Sequence, residues 1–326
     1  MSAYTLVEAV RRALREAMAA DPAVFVLGQD VGVRGGVFQA TAGLLAEFGP
    51  DRVIDTPLAE SGIVGVAIGA ALAGMRPVAE IQFADFVHPA FNQIVNEAAK
   101  LRYRSAGAWS CPLVVRMPYG GVRGGGLYHG QSVEALFAHI PGLRVLSPST
   151  PGDAYEMLHW AIRCDDPVIF LEPKRIYCSA RADLPECPRR ESPRTVVRRQ
   201  GEDATVVSWG LMLHVVLSAA AALHEEGISV EVLDPRSLRP LDMRAILDSV
   251  RRTGRLCVVH EDNATCGLGA EIAARVSEEA LFHLDAPVVR VAAPEVPGLP
   301  YAPSLEALVL PSAERVTTAL RALVAY

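Results

Sequence analysis

The sequence has little lysine, no long apolar run and no paired cysteine motif, and each absence excludes a class of protein. Lysine occurs only at positions 100 and 174 among 31 basic residues, which leaves few candidates for a Schiff-base lysine. The longest run without a charged residue or a histidine, 61–75, is shorter than the roughly 20 residues that a membrane-spanning helix needs. The six cysteines include no C-x-x-C pair, so we expect buried apolar residues and not disulfides or zinc ligands.

The signatures of several enzyme classes are also absent. No serine lies in a G-x-S-x-G elbow, and there is no G-K-[ST] sequence for a P-loop. His224 and His260 each precede a glutamate, but no second histidine follows one turn later, as a zinc protease would require. Gly267 and Gly269 begin like a dinucleotide-binding fingerprint, but Ile272 stands where its third small residue belongs. Serine hydrolases, P-loop NTPases, zinc proteases and Rossmann dehydrogenases are therefore disfavoured.

The composition predicts a folded protein without nucleic-acid or membrane partners. Hydrophobic residues make up 51% of the 326 and charged residues 21%, which excludes a disordered chain. The net charge of −6 creates no field that would attract nucleic acid or an anionic membrane. The N-terminus becomes amphipathic by Thr5 and has no apolar signal core, so we expect a cytoplasmic protein.

Short apolar strands alternate with helical patterns along two stretches of the chain. The first helical stripe follows a Thr5–Glu8 capping box. Strands that are apolar throughout and separated by helices indicate parallel sheets covered on both faces. A segment rich in proline and arginine separates the two stretches. We therefore predict an α/β fold with a doubly wound domain over 1–186, a linker over 187–203 and a second α/β domain over 204–326.

Three segments carry candidate site residues. Glu60 precedes an apolar helix, where desolvation would favour a protonated carboxyl, although the helix dipole alone also explains a glutamate there. Gln82 and Phe86 follow a predicted strand, at the end where parallel sheets bind ligands, although Phe86 also suits a core. His129 lies on a glycine-rich loop, from which it could contact a ligand and titrate near neutral pH.

Taken together, these segments resemble the β subunits of the thiamine-diphosphate-dependent decarboxylase component of 2-oxo acid dehydrogenase complexes. The resemblance extends over nearly the whole chain, and EIQFADF and FLEPKRIY are most similar to the branched-chain members. It implies a pyrimidine-binding domain followed by a transketolase C-terminal-like domain. The similar blocks, in order, are LGQDVG, GGVF, DTPLAESGIVG, RPVAEIQFADF, NEAAKLRYRS, GGGLYHGQS, PGLRVLSPSTP, DPVIFLEPKRIY, VSWG, LDPRSLRPLD and HEDNATCGLGAEIA.

The resemblance implies a role for each candidate residue. Glu60 matches the glutamate that shares a proton with the aminopyrimidine ring of the cofactor and so promotes formation of the carbanion nucleophile. Phe86 matches the aromatic residue that faces this ring, and Gln82 matches a polar neighbour. His129 matches a histidine of substrate binding and reductive acyl transfer to a lipoyl group. Gly130 stands where many relatives have serine.

The resemblance also implies a potassium site. In this family the ion is held mostly by main-chain oxygens, and the matching positions are Leu113, Ala161, Cys164 and Asp166. Carbonyl ligands leave no side-chain signature, so the match rests on position alone.

The chain contains no GDG sequence, the motif with which the family holds the cofactor diphosphate and Mg²⁺. We therefore expect an α2β2 heterotetramer in which an α subunit binds the diphosphate and Mg²⁺. The expected reaction is oxidative decarboxylation of a 2-oxo acid, branched-chain first and pyruvate next. The acyl group would pass to the lipoyl group of a dihydrolipoyl acyltransferase docked by the second domain. An acetoin-cleaving or transketolase-like enzyme and a non-catalytic scaffold for the acyltransferase are the alternatives.

Overall fold

The computed structural model describes residues 3–326, which form two compact units. The first unit contains the chain up to Tyr119 together with Leu136–Pro193. The second contains Gly120–Ala135 and Arg194–Tyr326. The glycine-rich segment therefore leaves the first unit, packs in the second and returns.

These units differ from the predicted domains at two places. The segment 120–135 was expected within the first domain, but its glycines let its backbone approach side chains of the second unit such as Leu299. The predicted linker, 187–203, contains the strand Val196–Arg199, which pairs antiparallel with Val230–Asp234. An edge strand tolerates charged side chains, so its arginines masked it in the sequence.

The first unit is built around six parallel strands, as predicted. A separate two-stranded ribbon joins β1 (Tyr4–Thr5) and β8 (Arg181–Ala182) in antiparallel pairing. The six strands of the sheet are β2 (Val24–Gly28), β3 (Val53–Asp55), β4 (Arg76–Glu80), β5 (Val114–Tyr119), β6 (Arg144–Leu146) and β7 (Val168–Pro173). Their order is β6-β7-β5-β4-β2-β3, and each neighbouring pair is parallel.

The helices of the first unit follow the predicted pattern with one exception. The α-helices are α1 (Leu6–Ala20), α2 (Leu44–Phe48), α3 (Glu60–Leu72), α4 (Leu101–Arg104) and α6 (Pro151–Arg163). A further helix, α5 (Glu134–Ala138), begins in the second unit and ends in the first, because the boundary between the units follows residue 135. The capping box is confirmed, because Thr5 Oγ1 accepts the N–H of Glu8 and the Glu8 carboxylate accepts the N–H of Thr5. The apolar spacing over 85–103 predicts one further helix, but this segment begins with short 3-10 turns and a π-helical turn, since Pro89 lacks an N–H.

The second unit contains a mixed sheet of five strands in the order β14-β13-β10-β11-β9, with only β9 antiparallel to its neighbour. The strands of this part of the chain are β9 (Val196–Arg199), β10 (Ala204–Ser208), β11 (Val230–Asp234), β12 (Ser237–Arg239), β13 (Leu256–Asn263) and β14 (Val289–Ala293). The helices are α7 (Gly210–Glu225), α8 (Met243–Thr253), α9 (Leu268–Ala280), α10 (Pro303–Val309) and α11 (Ala313–Val324). Within residues 3–326, no helix is long and apolar enough to span a bilayer.

A buried ionic network joins three adjacent strands of the first sheet. Arg116 of β5 is fully buried, and its guanidinium donates to both carboxylate oxygens of Glu172 on β7, at 2.8 and 2.7 Å. It also donates to Glu80 at the end of β4, and the hydroxyl of Tyr177 donates to Glu172. Burial raises the pKa of the Glu80 carboxyl, while the charge of Arg116 opposes that rise. One cation thus compensates two carboxylates that water does not reach.

We expect Arg116→Met to lower the free energy of unfolding by about 3–5 kcal/mol, because it leaves two buried carboxylates without a cation. The matched control is Arg15→Met, which removes an exposed ion pair with Glu47 and should cost less than about 1 kcal/mol. Guanidinium chloride unfolding of the full chain measures both. Equal stabilities of the two variants would contradict this account of the network.

Candidate active site

The first sheet has a topological switch point between β2 and β4. These strands are neighbours, but the chain leaving β2 continues to β3 on one side and the chain leaving β4 continues to β5 on the other. Such a divergence opens a crevice beyond the carboxyl ends of the strands, where ligands bind. Gln82 crosses this crevice, since its Nε2 donates to the carbonyl of Gln29 at 3.3 Å and to the carboxylate of Asp30 at 3.1 Å.

The loop after β2 is also held from the other side, by Asp55 at the end of β3. The Asp55 carboxylate accepts the N–H of Gly32 at 2.6 Å and that of Val33 at 3.1 Å. A Cβ at Gly32 would lie 2.6 Å from Asp55 Oδ2, so this position requires glycine. Asp30 and Asp55 were not among the candidates from the sequence. The available signal was a carboxylate close to the carboxyl end of an apolar strand, two residues after β2 for Asp30 and at the last residue of β3 for Asp55.

Glu60 is the first residue of α3, shortly after the chain leaves β3. Its side chain is half-buried. Among residues 3–326, no hydrogen bond or ion pair reaches its carboxylate. The first turn of a helix stabilises a carboxylate electrostatically, and this one is available to a ligand.

Phe86 is the outer member of a row of aromatic rings. Its ring centroid lies 5.6 Å from that of Phe83, which lies 5.4 Å from that of Phe38, and each pair meets edge to face. Phe38 continues the row to Tyr177 at 5.2 Å. Phe86 is half-buried, so it combines the core role and the accessible role that the sequence left open. The row therefore extends from Phe86 to Tyr177, whose hydroxyl donates to Glu172.

His129 belongs to the second unit, whereas Glu60, Gln82 and Phe86 belong to the first. It follows a 3-10 turn, Gly126–Tyr128, and its side chain is half-buried. Its position on a glycine-rich loop is as predicted.

Three carboxyl groups cluster in the second unit beside the segment that carries His129. Burial raises the pKa of the Glu134 carboxyl well above its ordinary value, and the charges of Asp262 and Glu261 raise it further. Burial also raises the pKa of Asp262. Trp209 Nε1 donates to Glu134 Oε1 at 3.2 Å, and its indole stacks on His260 with centroids 5.5 Å apart. Burial lowers the pKa of His260 to about 4, so this histidine is neutral near pH 7.

The Gly267–Gly269 pair has a packing role at this place. A Cβ at Gly269 would lie 2.7 Å from Nε2 of His260, and one at Gly267 would lie 2.8 Å from Cε1 of the same ring. These glycines are required by the buried imidazole, which explains the incomplete dinucleotide fingerprint.

A cavity of about 210 Å³ lies next to the carboxyl cluster, within the second unit. One wall consists of Gly130, Gln131 and Ser132, the residues that follow His129. The other walls are acidic or polar residues at the end of β13 and apolar residues, namely Glu261, Asp262, Asn263, Ala293, Val296, Pro297, Gly298, Leu299, Val309 and Leu310.

Comparison with known proteins identifies the family. Residues 2–179 match the pyrimidine binding domain of transketolase, and residues 194–316 match the transketolase C-terminal domain. The chain is 50% identical to the 2-oxoisovalerate dehydrogenase subunit beta of Bacillus subtilis (strain 168), with 100% of both chains covered. This chain belongs to the β subunits of the 2-oxo acid dehydrogenases. The predicted family and two-domain fold are therefore confirmed.

Other relatives of the β subunit agree. It is 49% identical to the pyruvate dehydrogenase E1 component subunit beta of Leifsonia xyli subsp. xyli (strain CTCB07), covering 98% of this chain and 95% of the relative. A solved structure described as a split gene transketolase, inactive beta4 tetramer, superposes with a TM-score of 0.80 at 27% identity, covering 98% of both chains. Branched-chain and pyruvate enzymes are thus both among its relatives.

The positions matched to a potassium site fit the ion only in part. The carbonyls of Leu113 and Ala161 each accept one main-chain hydrogen bond, which leaves a lone pair for a cation. The carbonyl of Cys164 lies 3.4 Å from a guanidinium nitrogen of Arg76, and the Asp166 carboxylate pairs with two arginines. Within residues 3–326, no group of three His, Cys, Asp or Glu side chains could hold a metal ion. The potassium site of the β subunit stays a prediction.

We expect Glu134→Gln to stabilise the β subunit at pH 8 and to change its stability much less at pH 5. A carboxyl whose pKa is raised in the folded state loses stability as the pH rises above its unfolded pKa, because folding must then take up a proton. Glutamine keeps an oxygen that accepts from Trp209 and removes this penalty. Guanidinium chloride unfolding at both pH values measures the effect, with the exposed Glu271→Gln as control. An equal effect at both pH values would show that Glu134 is ionised.

Proposed function

We propose that the β subunit supplies the pyrimidine half of a thiamine diphosphate site and, with an α subunit, oxidatively decarboxylates a 2-oxo acid. The observation that supports this most is the switch-point crevice. It brings an accessible aromatic ring and an amide together at one sheet edge, beside the strand that leads to Glu60, whose carboxylate has no partner among the described residues. The chain has no GDG sequence for the diphosphate, so we assign the diphosphate and its Mg²⁺ to the α subunit.

Each residue of the half-site has a proposed task. Thiamine diphosphate, when bound, supplies the carbon nucleophile that attacks the 2-oxo carbon and releases carbon dioxide. Glu60 would hold a proton at a ring nitrogen of the pyrimidine, since its carboxylate is available and lies in the first turn of a helix. Phe86 would cover one face of the ring and exclude water. Gln82, held by Gln29 and Asp30, would orient the polar edge of the ring.

His129 is proposed to act in the second half of the reaction. When the acyl group passes to a lipoyl group, the lipoyl disulfide opens, one sulfur forms the thioester and the other takes up a proton. A half-buried histidine on a loop is suited to supply that proton and to bind the substrate. The acceptor of the acyl group would be the lipoyl group of a dihydrolipoyl acyltransferase, which we propose docks on the second unit.

We favour a branched-chain 2-oxo acid as substrate, with pyruvate next. The 50% identity to a 2-oxoisovalerate dehydrogenase subunit and the blocks EIQFADF and FLEPKRIY support this order. Assays of the assembled enzyme with 2-oxoisovalerate, pyruvate and acetoin would rank the substrates. Turnover of acetoin alone would overturn the proposal.

An unpartnered face of α3 supports assembly with another subunit. This helix is apolar around its whole circumference, a pattern typical of a buried helix, yet Val66 is 63% exposed and Leu72 44% exposed. A Cβ at Gly65 or Gly69 would meet no neighbouring atom of the described part of the chain within 4 Å. We propose that this stripe of small residues packs closely against a neighbouring subunit.

We expect Glu60→Gln to slow decarboxylation by about a hundredfold or more, the range typical for loss of an acid–base group. Binding of the cofactor should persist, because the amide keeps the shape of the side chain. The measurement is reduction of an artificial electron acceptor by the variant reconstituted with its α subunit, together with cofactor titration. The exposed Glu271→Gln is the control, and undiminished turnover by Glu60→Gln would exclude the role.

We expect Gly65→Leu to prevent assembly while leaving the fold of the single chain intact. The new side chain points into open space in the isolated chain, and leucine stabilises a helix relative to glycine by up to about 1 kcal/mol. Light scattering of the co-expressed subunits measures assembly, and thermal unfolding measures the fold. Ala222→Leu on the exposed face of α7 is the matched control. An unchanged particle mass for Gly65→Leu would remove α3 from the interface.

A further inference from the structure

The second sheet has its own topological switch point, where the carboxyl cluster lies. The chain leaving β10 continues to β11 on one side, and the chain leaving β13 continues to β14 on the other. Trp209 directly follows β10, and Glu261 and Asp262 lie near the end of β13. In an open α/β sheet this is the place for a ligand. An acidic crevice, however, repels phosphates and 2-oxo acids, which are anions.

The glycine-rich segment 120–135 packs against this switch point. The N–H of Gly121 donates to Glu261 Oε1 at 3.3 Å. Gly120 has a φ of +78°, and a Cβ there would collide with the Glu261 carboxylate, so the backbone lies directly on this side chain. The N–H of Gly120 donates to the carbonyl of Gln131 at 2.9 Å, which closes the segment into a loop around His129.

The far end and the middle of the loop are held as well. Glu134 accepts from the Trp209 indole at 3.2 Å, and the Asp262 carboxylate accepts from the N–H of Ala135. In the middle, a Cβ at Gly130 would lie 2.8 Å from Leu299 Cδ1. Of these anchors, Glu261 accepts the hydrogen bond from the segment where it enters the second unit.

We propose that Glu261 is a positioning residue for His129. The residue is 7% exposed, so water competes little for the hydrogen bond from Gly121, and the loop enters at a defined point. The inference rests on the proposed role of His129 in acyl transfer. Glutamine at this position keeps an oxygen that accepts from Gly121, whereas alanine leaves a buried N–H unpaired and enlarges the neighbouring cavity.

The rate of tryptic cleavage within the loop measures how well the loop is ordered. Arg123 is the single basic residue between positions 120 and 135, and it is exposed. In the purified full chain we expect Glu261→Ala to accelerate tryptic cleavage after Arg123 about fivefold, the change in opening equilibrium that loss of one ordinary hydrogen bond produces. Glu261→Gln and the exposed control Glu271→Ala should be cleaved at the rate of the unsubstituted chain. Mass spectrometry of the fragment that begins at Gly124 measures the rate.

The second readout is the ratio of two rates in the enzyme assembled with its α subunit. Glu261→Ala should lower acylation of a lipoyl domain about fivefold more than decarboxylation with an artificial electron acceptor, because only the first step is proposed to use His129. Glu261→Gln should restore the ratio. A merely structural defect would lower both rates together, and that result, or unaltered cleavage after Arg123, would overturn the proposal.

Gly120→Ala keeps the test decisive if Glu261→Ala does not fold. Its methyl group displaces the Glu261 carboxylate, so cleavage after Arg123 should again accelerate, and an unaltered rate would overturn the proposal. If Glu261→Ala folds, adding Gly120→Ala should accelerate cleavage less than it does alone. The cleavage assay needs no substrate, so an enzyme that turns over no 2-oxo acid would refute the proposed function and not the anchoring of the loop.

Discussion

The site in the first unit depends on one buried arginine. Arg116 joins Glu80 and Glu172, so three adjacent strands carry complementary charges. Glu80 stands opposite Arg116 in the register of β4 and β5, and Glu172 stands two residues further along β7, opposite Pro118 of β5. Two residues after Glu80 the chain reaches Gln82, which crosses the crevice. Tyr177 connects the network to the aromatic row that ends at Phe86. A slip of either strand pair would uncouple the charges, so the network also fixes the strands that carry the proposed ligand site.

The two switch points of the molecule are used in different ways. The first opens beside an aromatic ring, an amide and a carboxylate, which together suit a planar polar ring. The second is lined by acidic side chains and packs against the glycine-rich segment 120–135, which lies between two stretches of the first unit in the sequence. One fold thus provides the proposed ligand crevice in one domain and a support for the loop that carries His129 in the other. Fold similarity between the two domains is therefore no evidence of similar ligands.

Much of the architecture could be predicted because apolar strands and amphipathic helices differ in period. The parallel sheet, the capping box at Thr5 and the position of α3 follow directly from that pattern. The interrupted helix around Pro89 and the charged edge strand β9 were missed, since neither follows the regular apolar spacing that predicts helices and strands. Glu60 and Phe86 were recognisable as candidates, whereas Asp30 and Asp55 were missed, and their hydrogen bonds revealed them.

The amino-acid sequence by itself determined the family, the succession of strands and helices, and which side chains are candidates for the proposed pyrimidine half-site. It did so because these properties depend on residue type and local spacing. Only the tertiary structure decided that the segment around His129 packs in the second unit, that Arg116 is shared by two glutamates and that Glu261 lies beneath Gly120. Those arrangements join residues far apart in the chain, and their energy comes from burial that no local pattern records.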